Sequence, residues 1–121
     1  MYKHNFRKLK VYQRAIEFIV EVYKLSKLFP REELYGLTSQ IRRAVSSISL
    51  NIAEGSGNNS GKEFKRFLEI ALRSDYEVMT CLEIALRLNY LERNDFNRLI
   101  KEADEIAAMI NGFSKSLKSI V

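Results

Sequence analysis

The sequence predicts an all-α protein, and specifically an antiparallel up-down-up-down four-helix bundle. Apolar residues recur at spacings of three and four through four long segments, which is the pattern of helices with a buried face. Residues that break helices are few, and the only proline and the glycine-rich stretch at 55–61 lie at segment ends. No β-branched run alternates with polar residues, as strands would require. Mostly short connections then make successive helices antiparallel.

The first segment, roughly 9–28, carries two apolar series instead of one. They are Leu9, Tyr12, Ile16, Ile19 and Tyr23, and Val11, Ala15, Phe18, Val22 and Leu25. Together they span about 200° of a helical wheel, which exceeds the stripe of somewhat over 100° that one buried face needs. The surplus predicts a homo-oligomer that covers it, and the alternative is a monomer with a wide core.

The second and third segments meet at the glycine-rich stretch. The second helix is expected over 37–54, with Pro30 in a first helical turn before it and Gly55 at the left-handed position that follows a helix. The third is expected over about 61–89, opened by a capping box of Ser60 and Glu63 in which hydroxyl and carboxylate each bond a backbone N–H. The third helix also carries two seams, so it too has surplus surface.

The fourth segment has the most regular pattern. We expect Asn94 to cap it, and its apolar residues alternate at three and four as far as Ile120. The whole chain, 1–121, is expected to form one domain with a short basic N-terminal arm at about 1–8.

Composition excludes several classes of protein. Hydrophobic residues make up 46% and charged residues 29%, which excludes intrinsic disorder, and no apolar stretch reaches the roughly 20 residues of a membrane span. One cysteine, Cys81, and one histidine, His4, predict no disulfide, metal site or cofactor. Cys81 is expected to be a small buried hydrophobe. A cytoplasmic location is expected.

All of the net charge of +5 lies near the N-terminus, because residues 1–14 contain five basic residues and no acid. These are Lys3, Arg7, Lys8, Lys10 and Arg14. Such an arm can neutralise phosphates without a shaped groove, so these residues are the candidate nucleic-acid contacts. The alternative is a solubilising terminus, and an oligomer would favour the functional interpretation because it gathers several arms.

A polar ribbon runs along the second helix. Gln40, Arg43, Ser47, Asn51 and Glu54 fall within about 80° of one another, beside the apolar stripe. The ribbon predicts either a hydrogen-bonded network inside the bundle or a surface for another subunit or ligand. Asp75 and Glu77 are the expected carboxylate partners of Arg43, in an ion pair that fixes helix register. The functional alternative is an anion or nucleotide site.

The sequence contains no catalytic constellation, and we expect no enzyme. Nucleophilic catalysis needs a base beside the nucleophile, and the sole imidazole, His4, lies in the basic arm. The stretch from Gly55 to Lys62 lacks the spacing of a phosphate-binding Walker loop, so we interpret it as a connector between helices. Catalytic and small-molecule substrate residues are therefore not assigned.

A specific motif in the second helix resembles a known family. It comprises Gln40-Ile41-Arg42-Arg43-Ala44, Ser47-Ile48 and Asn51-Ile52-Ala53-Glu54-Gly55, supported by Phe6, Leu9, Val11, Tyr12, Gln13, Ala15, Phe29-Pro30, Phe64, Phe67-Leu68, Ile70-Ala71, Ser74, Glu77, Leu82 and Leu88-Asn89-Tyr90-Leu91. With these residues the chain resembles the 23S rRNA-intervening-sequence proteins over nearly its whole length. The chain departs from the family pattern at Arg73, where glycine is common, and at Asp75, where an uncharged residue is common.

The resemblance implies a four-helix bundle that can assemble as a ring-shaped pentamer, with no established enzyme activity. A related branch, the accessory proteins of diversity-generating retroelements, works with reverse transcriptase and nucleic acid. The family motif falls on the polar ribbon and favours Glu77 over Asp75 as its partner. Two functions follow as alternatives: a homo-oligomer that binds RNA or DNA through its basic residues, or a protein-interaction scaffold or accessory subunit that does not.

Overall fold

Four helices make up most of the computed structural model, which describes residues 5–58 and 60–117. They are α1 (Lys10–Ser26), α2 (Leu37–Ser56), α3 (Gly61–Arg87) and α4 (Arg93–Ser116), with 3-10 turns at Phe6–Lys8 and Arg31–Glu33. No strand occurs in this described part of the chain. The all-α prediction is confirmed.

The helices stand at four corners in chain order. Each packs against its neighbours in sequence, with the most extensive contact between α2 and α3, and α1 closes the bundle against α4. Arg14 near the start of α1 pairs with Glu102 of α4, whereas Glu21 further along α1 pairs with Arg98. The residue numbers run in opposite directions, so α1 and α4 are antiparallel, as the predicted bundle requires.

One hydrophobic core runs through the bundle. Its largest fully buried side chains come from all four helices and include Phe18, Ile48, Phe64 and Ile106. In α1 the series containing Phe18 is buried apart from Leu25, which is half-buried, and three residues of the other series, Leu9, Tyr12 and Ile19, are half-buried against the same core. Much of the surplus apolar surface of α1 is therefore covered within the chain itself.

Gly55 was assigned the wrong role from sequence. It lies inside α2, which continues to Ser56, and no glycine of the described residues has a positive φ. A Cβ at Gly55 would come within 2.8 Å of Phe64 Cδ1 and Phe67 Cβ of α3. The glycine is needed for close approach of α2 and α3, not for a left-handed turn.

Other helix ends agree with the sequence to within a few residues. Ser60 Oγ accepts a hydrogen bond from Glu63 N at 3.1 Å, as the capping box predicts, while the Glu63 carboxylate pairs with Arg66. The left-handed residue that ends α3 is Asn89, with φ of 62°. The cap of α4 is Glu92 instead of Asn94, and Ile120 lies outside the described residues.

None of the helices described here combines the length and apolar character needed to cross a bilayer.

Candidate nucleic-acid interface

The described part of the N-terminal segment is folded onto the bundle. Residues 6–8 form a 3-10 turn that packs against α1 and α2. The Phe6 ring meets Tyr12 edge to face at 5.1 Å, and Gln13 Nε2 donates to the Arg7 carbonyl at 2.6 Å. Lys3 lies outside the described residues. The structure therefore fixes the positions of Arg7 and Lys8 relative to α1 instead of leaving them on a free arm.

Arg14 is held by acids of α4. Its Nε donates to Glu102 Oε2 at 2.8 Å and its Nη2 to Glu102 Oε1 at 2.9 Å, and Nη2 also bonds Glu105. Hydrogen bonds to Glu102, then to Glu105, raise the pKa of Arg14 further above its usual range. This guanidinium ties α1 to α4, and the described members of the predicted set that remain available are Arg7, Lys8 and Lys10.

The fold brings further basic residues to these three. The antiparallel topology places the start of α1, the end of α2, the start of α3 and the end of α4 at one end of the bundle, where Phe64 of α3 meets Phe113 of α4 at 5.2 Å. We call this the basic end. Over residues 5–13, 50–58, 60–67 and 110–117, its basic residues are Arg7, Lys8, Lys10, Lys62, Lys65, Arg66 and Lys115, and its acidic residues are Glu54 and Glu63.

Most side chains of the basic end are free to meet a ligand. Lys8, Lys10, Lys62 and Lys115 are exposed and Lys65 is half-buried. Arg66 pairs with Glu63, and its guanidinium carbon lies 4.6 Å from the centroid of the Phe67 ring. Sequence reasoning missed the lysines of α3 and α4 because they are far from residues 1–14 in the chain. The predicted topology already contained the signal, since it places these helix termini together.

The polar ribbon is divided between a network and an open surface. Asn51 Nδ2 donates to the carbonyl and the Oγ of Ser47, at 2.8 and 2.9 Å, and Ser74 Oγ of α3 donates to Ser47 Oγ at 2.8 Å. These polar groups satisfy one another where α2 and α3 pack. Gln40 and Glu54 are exposed. The hydrogen-bonded network therefore accounts for Ser47 and Asn51, and a surface for another subunit or ligand on the rest of the ribbon stays a prediction.

The predicted ion pair of Arg43 is wrong. Arg43 is exposed and pairs with no carboxylate among residues 5–58 and 60–117. It lines a cavity of about 300 Å³ together with Gln40 and the exposed Glu77, on the outer face of α2 and α3. The other candidate, Asp75, is in the core and out of its reach. The network of Ser47, not a charge pair, joins the ribbon to α3.

Asp75 is a buried carboxyl without a partner. Its exposed fraction is 0%, and neither oxygen has a hydrogen-bond partner in the described structure. Burial, together with the negative charges of Asp104 and Glu102 on α4, raises the pKa of Asp75 to about 8. The protonated acid therefore predominates at neutral pH, because an ionised carboxylate without a partner is costly inside a protein.

Cys81 is 3% exposed, as expected of a small hydrophobe, and burial raises the pKa of its thiol. Among the described residues, no three histidine, cysteine or acidic side chains lie close enough to hold a metal ion.

The chain is similar to a protein family and to a solved structure. The family model of the 23S rRNA-intervening sequence protein matches residues 7–112. A crystal structure of a protein of unknown function from the S23 ribosomal protein family of Bacteroides thetaiotaomicron VPI-5482 is 28% identical, with a TM-score of 0.80. The alignment covers 87% of this chain and 98% of that chain. No curated protein matches the chain.

Proposed function

We propose that this chain, which belongs to the 23S rRNA-intervening sequence protein family, is a non-catalytic nucleic-acid-binding protein that contacts phosphates with its basic end. The observation that supports this most is the convergence of exposed basic side chains from α1, α3 and α4 at one end of the bundle. Clustered lysines and arginines release counterions when they neutralise phosphates, and this gives affinity without base recognition.

The start of α1 adds a second argument. Lys8 and Lys10 stand at a helix N-terminus, where the helix dipole favours negative charge, and the first turn contains no acid and no side-chain cap. Local conflicts of this kind occur mainly at functional sites. A phosphate there would meet both the lysines and the free N–H groups of the helix, which relieves the conflict.

The names of the matching family and structure refer to 23S rRNA and to a ribosomal protein. Structured RNA is therefore the first ligand to test, with duplex DNA beside it. We place the protein in the cytoplasm, where the thiol of Cys81 would stay reduced.

We also propose a homo-oligomer, which would present several basic ends together. Support comes from apolar side chains that stay exposed on the described surface, among them Leu28 at 72% and Leu50 at 65%. On α3, Tyr76 and Ile84 are nearly half exposed and line one cavity beside Gln40. Tyr76 and Ile84 lie together at this cavity, and contact with a second copy would cover them. A pentamer, from the family resemblance, is the form to test by light scattering.

The test of phosphate binding compares two pairs of lysines on α1. Lys8→Gln with Lys10→Gln changes the basic end, and Lys24→Gln with Lys27→Gln makes the same charge change at the opposite end, where both lysines are exposed. Fluorescence anisotropy of labelled structured RNA is measured from low to high salt. We expect the first pair alone to weaken binding and to lower the salt slope by about 1 for each phosphate that is no longer neutralised. Adding Lys62→Gln and Lys65→Gln should weaken binding further.

Equal affinities for the two pairs, or no binding at low salt, would refute the proposal. The remaining function would then be a scaffold or accessory subunit that binds protein through the exposed face of α2 and α3.

A further inference from the structure

A second candidate site lies at the opposite end of the bundle, around Tyr35. This side chain is 93% exposed, more than any other large apolar or aromatic side chain among the described residues. It precedes α2, next to Leu34, which is 48% exposed. A tyrosine ring gains little by standing in water, because it removes no apolar area from solvent. In this position the ring is available to stack on a ligand.

The turn that carries Tyr35 is fixed by hydrogen bonds. Leu34 N donates to the Arg31 carbonyl at 3.0 Å and Gly36 N to the Glu33 carbonyl at 2.9 Å. The Glu33 carboxylate accepts from Leu37 N at 3.0 Å and from the Tyr90 hydroxyl at 2.9 Å. The exposed ring thus stands on a backbone held from both sides, and a ligand would not have to order it.

Beside this turn lies a cavity of about 440 Å³ that contains cations and aromatic rings but no acid. It is lined by Leu34 and by Tyr23, Tyr35, Thr38, Ser39, Arg42 and Arg43. Arg42 lies 5.0 Å over the Tyr23 ring and donates from Nε to Ser26 Oγ at 2.8 Å. Arg43 forms no ion pair in the described part of the chain. One arginine is held in place and the other is free to bind an anion.

We propose that this cavity binds an unpaired nucleotide, with the base stacked on the exposed ring of Tyr35 and a phosphate bound by Arg43. Proteins that bind single strands combine aromatic platforms with cationic grooves in this way. An acidic peptide would satisfy the arginines, but it would leave the flat ring of Tyr35 without a matching surface. The proposal rests on nucleic acid being the ligand of this protein, but its site is separate from the basic end.

The experiment uses a ten-nucleotide single-stranded RNA containing 2-aminopurine and a fully paired duplex of the same sequence. We expect Tyr35→Ala to weaken binding of the single strand about tenfold or more, and to abolish the quenching of 2-aminopurine that stacking causes. Tyr35→Phe, which keeps the ring, should bind as the wild type does. Leu88→Ala is the matched control, since it removes an exposed apolar side chain elsewhere at the same end of the bundle. Duplex binding should be the same in all of these variants.

The outcomes separate this proposal from the previous one. Loss of duplex and single-strand binding in Lys8→Gln with Lys10→Gln supports the basic end, whatever Tyr35→Ala does. Wild-type single-strand affinity in Tyr35→Ala overturns the nucleotide site and leaves the basic end standing. A lower molar mass of Tyr35→Ala by light scattering, or poly-glutamate displacing the single strand more strongly than unlabelled single strand does, would also overturn it. The ring would then belong to a contact between copies or to a site for acidic protein segments.

Discussion

Ionisation of Asp75 should control how the stability of the bundle depends on pH. The carboxyl is fully buried and unpartnered, with acids of α4 nearby. Replacement by asparagine keeps the shape and removes the ionisable group. We therefore expect Asp75→Asn to be more stable than the wild type in alkaline solution and close to it in acid.

The magnitude follows from the two pKa values of the group. In the unfolded chain the pKa is the ordinary 3.8, and in the folded chain burial raises the pKa of Asp75 to about 8. Between these values the unfolded state loses the proton and the folded state keeps it. The free energy of unfolding therefore falls as pH rises, by about 1.4 kcal/mol per pH unit, and is constant again above about pH 8. From pH 5 to pH 8 the loss amounts to roughly 4 kcal/mol.

The assay is urea unfolding followed by circular dichroism at pH 5, 6, 7, 8 and 9. The difference in unfolding free energy between Asp75→Asn and wild type should widen steadily up to pH 8 and then stay level. Glu69→Gln, an exposed acid on the same helix, is the control and should run parallel to the wild type. Parallel curves for Asp75→Asn across this range would refute the argument, because they would mean that Asp75 has the same pKa folded and unfolded.

Four other substitutions test the packing and the polar contacts. Gly55→Ala should destabilise the fold by about 1 to 3 kcal/mol, because the added Cβ would crowd α3. Gly112→Ala, whose Cβ would have nothing within 4 Å, should stabilise the fold by up to about 1 kcal/mol. Thermal unfolding of the two variants and the wild type measures both effects. Arg14→Gln should lower the free energy of unfolding by about 1 kcal/mol at low salt and by less at high salt. It should leave RNA affinity unchanged, since Glu102 and Glu105 bind the guanidinium. A loss of affinity equal to that of Lys8→Gln would contradict this. Hydrogen bonds from Leu37 N and Tyr90 lower the pKa of Glu33, so the turn is stabilised above the usual carboxyl pKa and should loosen as pH falls through the lowered value. The expected result is a lower protection factor of the Leu37 amide, which corrects for slower intrinsic exchange in acid, both at low pH and in Glu33→Gln at any pH where the wild type is protected.

The periodicity of apolar residues made the fold predictable from the sequence. Spacings of three and four determine which face of each helix is buried, and the order of four such segments with mostly short connections leaves few topologies. The motif at 40–55 correctly identified the family. What periodicity does not contain is the local balance of sterics and solvation. From sequence, a glycine at position 55 fits either the end of a helix or a close contact between helices. The positions of Phe64 and Phe67 on α3 show that it serves the close contact.

The candidate sites were harder to predict from the sequence, because they depend on distances between helices. Arg14 belongs to the basic run near the N-terminus, yet its guanidinium is bound by Glu102 and Glu105 of α4. Asp75 and Arg43 lie on helices that do pack together, but the first faces the core and the second the solvent. Tyr35 sits in a short turn without periodicity, so nothing in the pattern marks it as exposed. Such residues are identified by their surroundings, not by their type.

The modest contact between α1 and α4 has a consequence for the order in which the chain folds. The α2–α3 hairpin joins residues across a short connection, whereas Arg14 and Glu102 are 88 residues apart, and closing that long loop costs more entropy. Early formation of the hairpin and late docking of the outer helices is the order that this topology favours. Substitutions in the hairpin, such as Gly55→Ala, would then slow refolding, while Arg14→Gln would mainly speed unfolding. The ion pairs between α1 and α4 therefore form late in folding, after the contacts between α2 and α3 are made.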